Sequence, residues 1–226
     1  MSIIDEIKVF PFTSIIIVIC CVVWFYLKEY NISFETVGLG YETIIYSGEF
    51  WRILTSHFSH SNIFHLIFNM TSFWELRFLE NDKFNYFKNI FILIIGSSFL
   101  TLIIYHFLIT KKGIDRYRNL YGIGYSCVVF GLQTQFFLNS PGDTFHFFNL
   151  LEIPSFFAPF FSLLFTQLIF PQASFIGHLS GILVGFLINF HCFFWMNYYL
   201  TFSAFFWFFL IVWISRDLSN RTRMII

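Results

Sequence analysis

Ile176-Gly177-His178-Leu179-Ser180-Gly181-Ile182-Leu183-Val184-Gly185-Phe186-Leu187 is an apolar run broken only by one imidazole, one hydroxyl and three glycines. Helices in lipid gain little from apolar burial, so they associate where small residues let backbones approach. On a helix, His178, Gly181 and Gly185 share one face. An ionisable side chain at mid-membrane costs on the order of 2.5–3.5 kcal/mol and usually lines a functional cavity. The run therefore predicts a membrane helix that packs tightly on a neighbour and presents His178 to a polar site.

The remainder of the chain fits that environment. With 57% hydrophobic, 24% aromatic and only 12% charged residues, it lies outside the range of soluble domains. Its 226 residues suffice for several spans of about 20 residues but not for a second soluble domain beside them. Hydropathy places spans at 10–27, 60–79, 87–109, 120–139, 155–171 and 176–195, with a further apolar run at 198–214. The expected fold class is an all-α polytopic membrane protein, six helices plus a seventh at the C-terminal end. One membrane-embedded domain is expected over 1–226, its core at 10–195. Breaks fall at Asn81-Asp82-Lys83, at Lys111 to Arg118, at Asn139-Ser140-Pro141-Gly142-Asp143 and at Pro171. The long 28–59 connection, with Gly38, Gly40 and Gly48 among aromatics, suits a loop lying partly in the membrane interface.

Asp5, Glu6 and Lys8 precede the first apolar run, and no small-x-small cleavage site follows it, so a retained first span is expected. Cys20, Cys21, Cys127 and Cys192 sit in apolar stretches, where thiols act as small hydrophobes and give no disulfide framework. Thirteen basic and thirteen acidic residues cancel, which offers no nucleic-acid surface. With the N-terminus cytosolic, inside loops hold Lys8, Arg77, Lys83 and Lys88, and outside loops hold Lys28, Arg52, Lys111, Lys112, Arg116 and Arg118. Loop charge therefore does not set the topology, and the sequence leaves the oligomeric state open.

Three polar constellations interrupt the spans. His65 and Asn69, at i and i+4, project from one helical face. Gly122-Ile123-Gly124-Tyr125-Ser126 puts a hydroxyl at a helix start behind flexible glycines. His178 is the third. Each has an ordinary reading: a serine at a helix start is commonly a cap, and an intramembrane His-Asn pair commonly bonds two helices together. Together they make an acyl-transfer site, with Ser126 as nucleophile, His178 as general base, and His65, Asn69 and the Ser126 backbone N–H as oxyanion donors. No acid accompanies His178 in its span, so a dyad is expected rather than a triad. Other protease chemistries lack their groups. No His-Glu-x-x-His string occurs, and no carboxylate or cysteine completes a ligand set around His57, His60 and His65. Asp82, Asp115 and Asp143 fall in loops rather than pairing inside helices. Neither a metal nor a cofactor is expected. A transporter with a polar pathway would use His65, Asn69 and His178 but leaves the Gly-x-Ser unexplained.

These residues resemble the rhomboid intramembrane serine proteases. Glu49-Phe50-Trp51-Arg52 with Thr55, His60, His65 and Asn69 is similar to the family's Trp-Arg loop and second-helix pair. Gly124-Tyr125-Ser126 is similar to its Gly-x-Ser nucleophile motif, and His178-x-x-Gly181-x-x-x-Gly185 to its sixth-helix motif. The resemblance runs from Glu49 to Gly185. It implies the six-helix rhomboid fold, the Ser126–His178 dyad, the oxyanion hole named above, and an aromatic at Phe130 stacked on the catalytic imidazole. It also implies a cytosolic N-terminus, the serine near the luminal or extracellular helix ends, and transmembrane-helix substrates entering between the second and fifth helices, where Phe156, Phe157, Phe160 and Phe161 would line or plug the gap. The motifs look most like the endoplasmic-reticulum type, which implies a multi-pass protein of a secretory-pathway membrane. That type usually carries a long cytosolic tail, and the sequence given ends at Ile226. Two departures stand out. Cys127 follows the serine where the family prefers glycine or alanine, and Glu80 stands for a conserved acid without the glycine that usually precedes it. A derlin-like relative, binding transmembrane clients without cutting them, is the alternative; such relatives keep the fold and lose the serine or the histidine.

Overall fold

The computed structural model describes residues 2–140, 142, 144–147 and 151–223. Pro141 and Asp143 of the expected break after the fourth span, residues 224–226 and the side chain of Arg223 lie outside the described residues. The helices in chain order are α1 (Ile3–Val9), α2 (Pro11–Glu29), α3 (Phe34–Val37), α4 (Tyr41–Ile45), α5 (Arg52–Phe58), α6 (Ile63–Glu75), α7 (Lys83–Lys112), α8 (Ser126–Asn139), α9 (Ala158–Ile169), α10 (Phe175–Asn189) and α11 (Tyr198–Arg223). The protein is an all-α polytopic membrane bundle. Helices stand at all seven expected positions, and α2, α7 and Tyr198–Arg221 are long and apolar enough to cross a membrane. Half of the apolar stretch of α7 is buried, against 22% for α2 and 11% for α11, which makes α7 the central helix and the other two peripheral.

Boundaries follow local chemistry. Asn62, Asp82 and Ser174 are the N-caps of α6, α7 and α10, their side chains accepting from His65 N, Asn85 N and Gly177 N. Each such cap is worth about 1 kcal/mol. The bonds from Asn85 also hold the Asp82 carboxyl below the usual carboxylate range. Helices α6, α8, α9 and α10 are shorter than the expected spans, the sixth span ending at Asn189 rather than 195. The second ends at Glu75, after which Arg77–Asn81 tightens into a 3-10 turn. The fourth begins only at Ser126, because Gly124 takes φ +116°, which helix does not allow. A new element is the hairpin of β3 (Thr144–Phe147) and β4 (Leu151–Pro154) between α8 and α9, where Ile153 packs with Phe137 and Ala158.

Glu80 has a clear role. It is 1% exposed, and its carboxylate accepts from Phe12 N at 2.8 Å, Thr13 N at 2.9 Å and the Thr13 hydroxyl at 2.8 Å. The first turn of any helix leaves N–H groups unpaired. Pro11 at the start of α2 has none to offer, and Glu80 serves the next two from another part of the chain.

Loop 30–59 is folded tightly. Arg52 is buried, pairs with Glu49 and donates from Nη1 to the carbonyls of Glu35 and Gly38. Within the loop, β1 (Leu39–Gly40) pairs antiparallel with β2 (Tyr121–Gly122), just ahead of Ser126. The far end of α11 closes on the same loop: Ser215 donates to Gly48 O at 2.7 Å, Ser219 to Glu49 Oε1 at 3.0 Å, and the Arg216 guanidinium lies 4.3 Å over the Trp51 ring.

Candidate active site

Helices α6, α8 and α10 begin at the same end of the bundle, and each contributes a polar group near its start. α8 and α10 meet backbone to backbone. A Cβ on Gly181 would lie 2.0 Å from Cys127 O, and one on Gly185 would lie 2.6 Å from Gly131 O. That approach sets His178 Nε2 2.8 Å from Ser126 Oγ. The Phe130 ring stacks on the imidazole, with centroids 4.5 Å apart and planes at 27°. His178 Nδ1 is buried and has no partner among the described residues, so ring packing rather than an acid orients the imidazole. Cys127 lines the same cavity, and its sulfur lies beside Gly177 of α10, 3.2 Å from where a Cβ there would sit.

His65 approaches from α6. A Cβ at Gly124 would sit 2.7 Å from His65 Nε2, so Gly124 is required both by its positive φ and by this approach. The other ring nitrogen of His65 lies 3.2 Å from Ser61 Oγ. Gly124 N donates to Ser56 O at 2.9 Å, which ties the nucleophile turn to α5. Ser126 is the first residue of α8 and its N–H makes no backbone hydrogen bond among the described residues. Asn69 is placed differently from a ready donor: its Nδ2 donates to His65 O at 2.9 Å, and its Oδ1 is buried without a partner among the described residues. Trp51 and Arg52 lie in the loop that pairs with the nucleophile turn through β1 and β2, away from Ser126 itself. The rings of His60 and His65 meet edge to face at 5.1 Å.

A cavity of about 1460 Å³ is lined by Ser126 and His178 and extends between α6 and α9. Its α6 wall is Phe64, Phe68 and Ser72, and its α9 wall is Ser162, Phe165, Thr166 and Ile169. None of the four phenylalanines expected at this gap lines the cavity itself. Phe156 and Phe160 rest on Phe186 of α10 with ring centroids at 5.0 and 5.7 Å, Phe157 is exposed beside Phe156, and Phe161 packs with Phe137 and Ile153. The reason is helical period: 162, 165, 166 and 169 share a face that 160 does not, and Phe161, one turn before Phe165, stands at its edge and stacks on that ring at 6.4 Å. Phe68 and Phe170, with centroids at 5.1 Å, bridge the gap.

At its other end the cavity reaches Ser97, Ser98, Thr101 and His57. His57 Nε2 lies 3.0 Å from both Ile94 O and Ser98 Oγ, and Thr101 donates to Ser180. Sequence reasoning missed this hydroxyl-lined recess. Its signal was the Ser97-Ser98-x-x-Thr101 cluster inside an otherwise apolar helix.

Residues 47–195 match the family model of the rhomboid domain. The chain belongs to the rhomboid family. Rhomboid relatives include "Rhomboid-like protein 14, mitochondrial" of Arabidopsis thaliana, 34% identical over 59% of this chain and 41% of its own length. "Rhomboid-related protein 4" of Homo sapiens is 30% identical over 72% of this chain and 52% of its own. "Rhomboid-type serine protease 2" of Neurospora crassa is 29% identical over 77% and 62%. This rhomboid thus spans about half the length of the curated relatives it matches.

Proposed function

We propose that this rhomboid is a serine endopeptidase that cleaves transmembrane helices of membrane-protein substrates inside the bilayer. The observation that carries the reading is the 2.8 Å contact between Ser126 Oγ and His178 Nε2. Serine attacks an amide only when a base takes its proton, and this distance is that of a hydrogen bond. In the proposed cycle, neutral His178 accepts the Ser126 proton at Nε2 as Oγ attacks the substrate carbonyl carbon. The new oxyanion takes the Ser126 N–H and the Nε2–H of His65, the tautomer favoured when Ser61 donates to Nδ1. Asn69 joins by turning its amide away from the His65 carbonyl. His178 then returns the proton to the leaving amine, the C–N bond breaks, and an acyl-enzyme remains. A water deprotonated by His178 hydrolyses that ester, and the hydroxyl-lined recess gives such water its hydrogen-bond partners.

The substrate would enter between α6 and α9. A helix that unwinds easily is favoured, because unpaired backbone groups are costly in lipid. The Neurospora relative's name supports the serine-protease reading. We place the protein in a secretory-pathway membrane, the endoplasmic reticulum, with the N-terminus cytosolic. The plant relative's name points to mitochondria, and imaging of a tagged full chain separates the two.

The test is cleavage of a helix-destabilised transmembrane reporter in proteoliposomes. Replacing His178 by Ala is expected to slow cleavage by about 10²- to 10⁴-fold, as loss of a general base does, and Ser126→Ala to abolish it. Binding of several reporters without any cleavage by the unmodified chain would instead indicate a derlin-like client binder.

A further inference from the structure

At the end of the bundle opposite the dyad, a pocket of about 230 Å³ lies between α7, α8 and α10. Ser126 opens α8 and Asn139 closes it, so the two sites are about 20 Å apart along that helix. The pocket walls carry Lys88, Asn89, Gln135, Asn139, Asn189 and His191. We propose that it binds the phosphate-bearing headgroup of an anionic lipid.

Three observations carry this. Gln135 is 7% exposed. Its Oε1 accepts from Asn89 Nδ2 at 2.8 Å, which fixes the amide and leaves Nε2 buried without a partner among the described residues. A buried donor left unpaired costs about 1–3 kcal/mol, which an acceptor on a ligand removes. Second, His191 has φ +57° at the end of α10, where Cys192 N bonds Leu187 O and His191 N bonds Ile188 O, each at 3.0 Å. This is a Schellman termination, whose left-handed position glycine normally fills. A histidine there costs about 1 kcal/mol of strain and sets an imidazole in the pocket wall. Third, Lys88 lines the pocket, its ammonium resting 5.6 Å over the Phe84 ring, from which a phosphate would draw it, while Asp82 at the start of the same helix is engaged by Asn85. A cation, an imidazole and a fixed amide donor suit a phosphate ester, and the surrounding carboxamides suit the hydroxyls of a polyol on it. Exposed Phe194, Trp195, Tyr198 and Tyr199 follow directly in sequence. Trp and Tyr concentrate at headgroup depth, which favours a lipid over a soluble ester.

The full chain is equilibrated with phosphatidylcholine vesicles containing a minor fraction of phosphatidylinositol and re-extracted, and the retained lipid is counted by mass spectrometry. Phosphatidylinositol is expected to be enriched over its share in the vesicle. Lys88→Met is expected to lower that enrichment about tenfold, the loss of one charge-assisted hydrogen bond. His191→Gly relieves the strained backbone, so it is expected to raise the melting temperature while also lowering enrichment. Retention in proportion to vesicle composition, or enrichment that both folded variants keep, overturns the site. Displacement of the bound lipid by free inositol phosphate would assign the pocket to a soluble phosphate ester and overturn the lipid assignment.

Discussion

At Gly181 there is no room for a methyl group, since a Cβ would lie 2.0 Å from the Cys127 carbonyl oxygen. Gly181→Ala must push α10 off α8, and overpacking of this kind costs about 1–3 kcal/mol or more. The same shift moves His178 from Ser126, so cleavage should fall much further than stability. Gly122→Ala is the control, because no atom lies within 4 Å of its added Cβ, and it should stay within about 0.5 kcal/mol of the unmodified chain. Thermal unfolding in detergent beside a cleavage assay measures both, and equal activity in the two variants would refute the close-packing account. The site was legible at this scale because polar groups in lipid-facing sequence are rare enough to stand out. The Asn69 amide was not, since its bond to its own helix depends on a rotamer that no spacing encodes.

Element by element, helix capping and helical period decide what holds and what lines the cavity. Glu80 serves two backbone N–H groups and a hydroxyl of α2. Glu80→Ala would leave those donors buried, at a cost of about 3 kcal/mol, readable as a lowered melting temperature. Glu80→Gln should recover only part of it, because a carboxamide presents one acceptor oxygen instead of two. The groove between α6 and α9 gives a second expectation. Shortening Phe68 and Phe170, whose rings bridge it, to Ala should speed cleavage of a transmembrane reporter, whereas Phe156→Ala should leave the rate unchanged because that ring rests on Phe186. The opposite ranking would return the gate to the residues first read from sequence. That first reading rested on apolar runs, which mark where a helix lies but not how it is rotated; Ser162 and Thr166, one turn apart, are the polar marks of the face that lines the cavity. The β3–β4 hairpin was missed for a related reason: its strands are four residues each, too short for alternation to be distinctive.

Across the whole molecule, the far end of α11 braces loop 30–59 through Ser215, Ser219 and Arg216, and that loop in turn pairs with the nucleophile turn. Ser215→Ala with Ser219→Ala should raise amide exchange across 35–55 about fivefold, as loss of about 1 kcal/mol of local stability does, and slow cleavage with it; unaltered exchange would detach α11 from the site. The seven apolar helices and their order could be read from hydropathy, whereas the short helices α1, α3, α4 and α5 could not, and this brace, between residues far apart in the chain, leaves no local trace. One further consequence follows from α6, α8 and α10 all starting at the same end. The peptide dipoles of each helix sum to about half a positive charge at its first turn, so three such ends converge where the oxyanion would form. In a low-dielectric setting that field acts at nearly full strength. The bundle's own backbone would thus add to the pull of the protonated His178 on the transient anion, and the proposed chemistry would need no further buried cation beside it.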